Sequence, residues 1–196
     1  MKIKKAVLHL IFLYLLISCI SNEKKYEYII KDKTFKQSLV LSYNEDIVEL
    51  SKGFTYYKWN NKDSDKTPII LVHGFSVPSY IWQPTFDMLS EKGYYVIALD
   101  LYGRGFSENL NENYTDQLMA NQVLELLNEL NIKSAKLIGL SNGGRIISKV
   151  ADLKPKIVEK LIYVASSGFK KIKELGNKSV TNKEVSGFIN ENYAQI

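Results

Sequence analysis

With 196 residues the chain has room for one medium-sized domain and not for two. Hydrophobic residues make up 45% and charged residues 24%, a globular balance that excludes a disordered or collagen-like polypeptide. The excess of 26 Lys+Arg over 21 Asp+Glu gives +5, yet only Arg104 and Arg145 are arginines, too few to build a stripe of forked phosphate donors, so nucleic acid is not expected as a partner.

Three of the positive charges, Lys2, Lys4 and Lys5, precede an apolar run from Ala6 to Ile17, and no acid occurs before Glu23. As a helix that run spans about 18 Å, well short of the roughly 30 Å hydrocarbon core, so it reads as a signal peptide rather than a membrane span. Leu16-Ile17-Ser18-Cys19 resembles the lipobox of bacterial lipoproteins, which implies cleavage after residue 18 and a lipid on Cys19. The alternative is an ordinary signal peptide with a cysteine near its end. On the lipoprotein reading, residues 19–33 are a tether and the chain sits in a bacterial cell envelope, facing away from the cytoplasm and held to a membrane through Cys19. As the only cysteine, Cys19 leaves no internal disulfide and no Cys-based metal site. His9 would depart with the signal.

Beyond the tether, Ile47, Val48 and Leu50, followed by Phe54 to Trp59 with Lys52-Gly53 between them, predict an antiparallel hairpin. Residues 60–67 form a polar loop. From Pro68 short apolar runs alternate with helical periods. Strands are expected at 69–72, 95–99, 135–138 and 161–164, and helices at 80–91, at 115–130 with Thr115 as N-cap, and at 142–153 before Pro155. Strands apolar on both faces and separated by helices mean a mostly parallel sheet covered on both sides, an α/β doubly wound domain.

The chemistry centres on Gly139-Leu140-Ser141-Asn142-Gly143, which fits G-x-S-x-G. An apolar strand runs into it and an apolar-faced helix runs out, the setting of a nucleophile elbow that pushes a serine hydroxyl out at the carboxyl end of a sheet. A Gly-rich turn with an idle serine is the bland alternative. His73-Gly74-Phe75 follows the first buried strand. There Gly74 permits the backbone to turn the Phe75 amide toward the serine, where it and the Asn142 amide would form an oxyanion hole.

Val72-His73-Gly74-Phe75, Pro78-Ser79-Tyr80-Ile81-Trp82, Asp100-Leu101-Tyr102-Gly103-Arg104-Gly105-Phe106-Ser107 and the elbow occur in that order and together resemble the α/β-hydrolase superfamily, in its serine esterase/lipase-like branch. The resemblance covers about residues 54–168. It implies acyl transfer from a small acyl-ester substrate, with lipids, thioesters and C–C bonds beside a ketone also open, Ser141 as nucleophile and neither metal nor organic cofactor. It makes His73 a brace for the oxyanion loop rather than the general base, because the family's triad runs Ser, then Asp or Glu, then His. Asp100 would organise its turn, in a pair with Arg104, while Tyr102 and Trp82 either line the pocket mouth or belong to the core. Serine at 141 separates the chain from relatives that use a carboxylate nucleophile, such as epoxide hydrolases.

One part of the pattern is missing. The two histidines are His9 and His73, so none follows Ser141, and Ala165-Ser166-Ser167-Gly168 carries no carboxylate. The triad acid and base are therefore not in the chain. The expected organisation is the N-terminal part of a hydrolase core at 34–168 and the opening of a lid at 169–196, incomplete at the C-terminus and inactive alone. A non-catalytic membrane-anchored binding lipoprotein that keeps the fold is the second expectation.

Overall fold

The computed structural model describes residues 31–168. The segment expected to be a signal peptide, with His9, together with Cys19, most of the expected tether and the expected lid segment, lies outside the described residues. Of the expected tether, Lys31 donates from Nζ to the Gly105 carbonyl at 2.8 Å, and Asp32 caps a helix, so ordered contacts begin before residue 34.

That helix, α1 (Lys33–Ser38), was not anticipated. It has one turn or so and rests on its cap, with the Asp32 carboxylate accepting from the amides of Thr34 and Phe35. The hairpin follows as β1 (Glu45–Glu49) and β2 (Phe54–Asn60), paired antiparallel with Ile47 opposite Tyr56.

The remaining elements are β3 (Ile69–Val72), a 3-10 turn (Ser79–Trp82) leading into α2 (Gln83–Glu91), β4 (Val96–Leu99), α3 (Asp116–Glu129), β5 (Ala135–Leu140), α4 (Asn142–Leu153) and β6 (Val158–Val164). Thr115 caps α3, its hydroxyl accepting from the Leu118 amide at 3.1 Å. Lys154 leaves the helical region before Pro155, as the residue ahead of a proline does, and α4 ends there.

Among the described residues six strands lie in the order β1-β2-β4-β3-β5-β6, with β4, β3, β5 and β6 mutually parallel. Alternate residues of β3 and β4 bury opposite faces. Ile70, Val72, Ile97 and Leu99 join Leu126, Ile146 and Val150 of α3 and α4, while Ile69, Leu71, Val96 and Ala98 meet Trp82 and Phe86 on the other side. Both faces are therefore dry, as the near-continuous apolar runs require. Trp82 and Tyr102 are both buried, which assigns them to the core and not to a pocket mouth.

Val72 pairs with Leu99 on one side and with Gly139 on the other, so β3 and β4 end level and β5 runs one residue further, to Leu140. His73 and Asp100 directly follow their strands at this carboxyl edge, beside Leu140. Because β4 lies to one side of β3 and β5 to the other, the chain reverses its winding direction beside β3, and open α/β sheets present their ligand crevice at such a point.

Candidate active site

Ser141 stands between β5 and α4 with φ 52° and ψ −117°, a conformation that costs a non-glycine residue on the order of 1–3 kcal/mol. The surroundings hold it there. Its amide donates to Val164 at 3.0 Å, and its carbonyl accepts from the amides of Gly144 and Ser167, both at 3.1 Å. Ser141 is half-buried, and among the described residues nothing hydrogen-bonds to its Oγ.

The two elbow glycines are demanded by close approach. A Cβ on Gly143 would meet the Val72 carbonyl and stand 2.6 Å from that of His73, while a Cβ on Gly139 would stand 2.6 Å from the Gly143 carbonyl carbon. Here α4 starts directly against the end of β3. Gly74 lies across the crevice, where an added Cβ would come 3.2 Å from Ser141 Cβ. The structure thus brings Gly74, Phe75, Ser141, Asn142 and Gly143 into one place.

The His73 ring is fully buried and both its nitrogens are engaged. The Leu101 amide can only donate, and it does so to Nε2 at 2.9 Å, so the ring proton is on Nδ1, which donates to the Gly74 carbonyl at 2.7 Å. Gly74 C=O and Phe75 N–H belong to one planar peptide and point in opposite directions. Holding the carbonyl on one side therefore aims the Phe75 amide to the other. On its own side Phe75 is pinned by Arg104, whose Nε donates to the Phe75 carbonyl at 2.5 Å and whose guanidinium lies 4.7 Å from the ring centroid. No backbone acceptor takes the amide of Phe75 or of Asn142 among the described residues, and the latter is an orphan donor at the first turn of α4. A cavity of about 40 Å³ touches Phe75 and Asn142, although Ser141 does not line it.

Burial holds the His73 imidazole below its ordinary pKa, outweighing the Gly74 hydrogen bond and the charge of Asp100, so the ring is neutral at pH 7. The unfolded chain then binds a proton near pH 6.5 that the folded chain refuses. Stability is complete above that value and falls as the pH drops below it, by up to about 1.4 kcal/mol per unit. Between pH 7.5 and 5.5 the wild type is expected to lose more stability in urea unfolding than His73→Gln does. Parallel losses in the two proteins would contradict this.

Asp100 is buried and shares its carboxylate between two loops, Oδ1 accepting from the Ser79 amide at 2.7 Å and Oδ2 from Phe106 at 2.8 Å. It organises its turn through those amides. Two further buried residues complete the frame. Ser107 donates to the Asp100 carbonyl at 2.5 Å and accepts from Tyr56, and Gln122 of α3 bonds Thr55, the Asp100 carbonyl and the Tyr102 amide. Gln122 escaped sequence reasoning. Its only trace was a glutamine in register with Met119 and Leu126 on the apolar face of α3.

A six-stranded, mostly parallel sheet with helices on both faces and a G-x-S-x-G turn at its carboxyl edge defines a hydrolase fold. The chain belongs to the alpha/beta hydrolase fold family, whose model matches residues 67–190. It is 33% identical over 120 residues to "Uncharacterized hydrolase YugF" of Bacillus subtilis, covering 61% of this chain and 44% of that protein. It is 38% identical over 112 residues to the pimeloyl-[acyl-carrier protein] methyl ester esterase of Aliivibrio salmonicida, covering 57% and 40%. The crystal structure of a "probable hydrolytic enzyme" from Pseudomonas aeruginosa PAO1 superposes with a TM-score of 0.70 and 26% identity, over 81% of this chain and 53% of that one. The chain spans about half the length of these relatives.

Proposed function

We propose that Ser141 is the nucleophile of a serine hydrolase acting on small carboxylic esters. In this reading Ser141 Oγ attacks the ester carbonyl, the amides of Phe75 and Asn142 hold the resulting oxyanion, the alcohol leaves, and water releases the acid from the acyl-enzyme. His73, Gly74 and Arg104 orient the Phe75 amide. The observation that carries the reading is the strained Ser141 turn, whose hydroxyl has no partner among the described residues and lies beside Gly74. The methyl ester esterase among the relatives supports esters as the substrate class.

The proton on Ser141 needs a base, and His73 has both nitrogens committed. The test therefore offers the chain p-nitrophenyl esters and an epoxide, each with and without imidazole as an external base. Above the background of imidazole in buffer, ester cleavage that rises with imidazole is expected, and Ser141→Ala should lose that imidazole-dependent increment. Epoxide opening without ester cleavage would overturn the reading.

The first nineteen residues support a membrane location for the same protein, anchored through a lipid on Cys19. Expressed in a bacterium fed an alkyne-tagged fatty acid, the wild type is expected to carry the label and sediment with membranes. Cys19→Ala should lose both. Equal labelling of the two would refute the anchor.

A further inference from the structure

The connections α3–β5 and α4–β6 enter the amino ends of their strands, at the opposite end of β5 from Ser141, roughly 17 Å away along a six-residue strand. Between them lies a cleft of about 410 Å³, within the range of small-molecule sites at roughly 300–1,000 Å³. Its walls are Leu124, Ile132, Leu153 and Ile157, which also pack on the main core. Its rim is cationic. Lys133, Lys154 and Lys156 line it, all exposed, and no carboxylate does. Among the described residues none of the three lysines makes an ion pair, and the acid next to the wall, Asp152, is held by Lys149 at 2.7 Å.

An apolar cleft under three unpaired ammonium groups matches one kind of molecule, a single alkyl chain ending in an anion. We propose that this cleft binds a medium-chain carboxylate, with the chain against Leu124, Ile132, Leu153 and Ile157 and the head among Lys133, Lys154 and Lys156. Burial of the chain supplies the attraction, and charge-assisted hydrogen bonds from the lysines select the anion. The proposal stands whether or not Ser141 is the nucleophile.

Calorimetric titration of the 196-residue chain with monomeric decanoate and with decanol tests it. Saturable binding of one decanoate, at least about tenfold tighter than decanol, is expected. The triple variant K133Q/K154Q/K156Q changes only exposed side chains and should lose that preference while keeping decanol affinity. A third arm uses vesicles of phosphatidylglycerol. Absence of saturable decanoate binding, equal affinity for decanol, or decanoate binding unchanged in the triple variant would overturn the proposal. So would binding to the vesicles alone, which would assign the lysines to a membrane surface.

Discussion

Without an added base, Ser141→Ala is expected to change ester hydrolysis by the 196-residue chain by less than about threefold, although Ser141 is the proposed nucleophile. The reason is the non-additivity of residues that act as one unit. Losing the base alone costs about as much as losing nucleophile and base together, on the order of a million-fold, and what survives is the residual effect of the oxyanion hole. In this chain no histidine follows Ser141, and the His73 ring is locked between Leu101 and Gly74. Imidazole in solution should then restore a Ser141-dependent rate that the alanine variant cannot share. A loss beyond about tenfold in Ser141→Ala without imidazole would mean that the chain already contains a working base. His73→Gln would then identify or acquit the one imidazole near the site.

Gly143→Ala is expected to destabilise the fold by at least about 3 kcal/mol and to lower the melting temperature by about 10 °C. In a helix free of neighbours the same change would help, by up to about 1 kcal/mol, because alanine is the better helix former. The sign therefore reports the contact. The new methyl would strike the carbonyls of Val72, the last paired residue of β3, and of His73 just after it, which are backbone groups and cannot swing away as a side chain could. Gly74→Ala meets Ser141 Cβ at 3.2 Å, and its cost should fall on acylation more than on folding. Thermal unfolding of the two variants, read beside imidazole-assisted ester cleavage, separates the cases. A melting temperature for Gly143→Ala at or above the wild type would show that α4 does not press on the end of β3.

The parts of the fold that could be read from the sequence are those in which one local signal had no competitor. Ile69 to Val72 and Val96 to Leu99 are apolar at every position, as two-sided burial demands, and both are strands. The elbow was legible because glycine at 139 and 143 answers a backbone contact that no other residue tolerates. Other features depended on tertiary context. Strand β6 begins at Val158, earlier than the apolar run at 161, because it is the last strand of the sheet among the described residues and carries the exposed Glu159 and Lys160. Helix α1 offers little apolar periodicity and is held by the Asp32 cap. Gln122 drew no reading from the sequence, yet it bonds three partners in a buried setting, which only the approach of β2 and the loop after β4 makes possible. Trp82 and Tyr102 show the converse: aromatic residues beside a site motif were drawn into the core.

The account rests on Ser141 being the reactive group. The most direct measurement is to treat the folded chain with excess fluorophosphonate, with and without imidazole, and to map the adduct by peptide mass spectrometry. The account predicts labelling confined to the peptide that contains Ser141, at least about a thousand-fold slower than a complete triad gives and accelerated by imidazole. An adduct on another residue, or rapid labelling of Ser141 without imidazole, would contradict it.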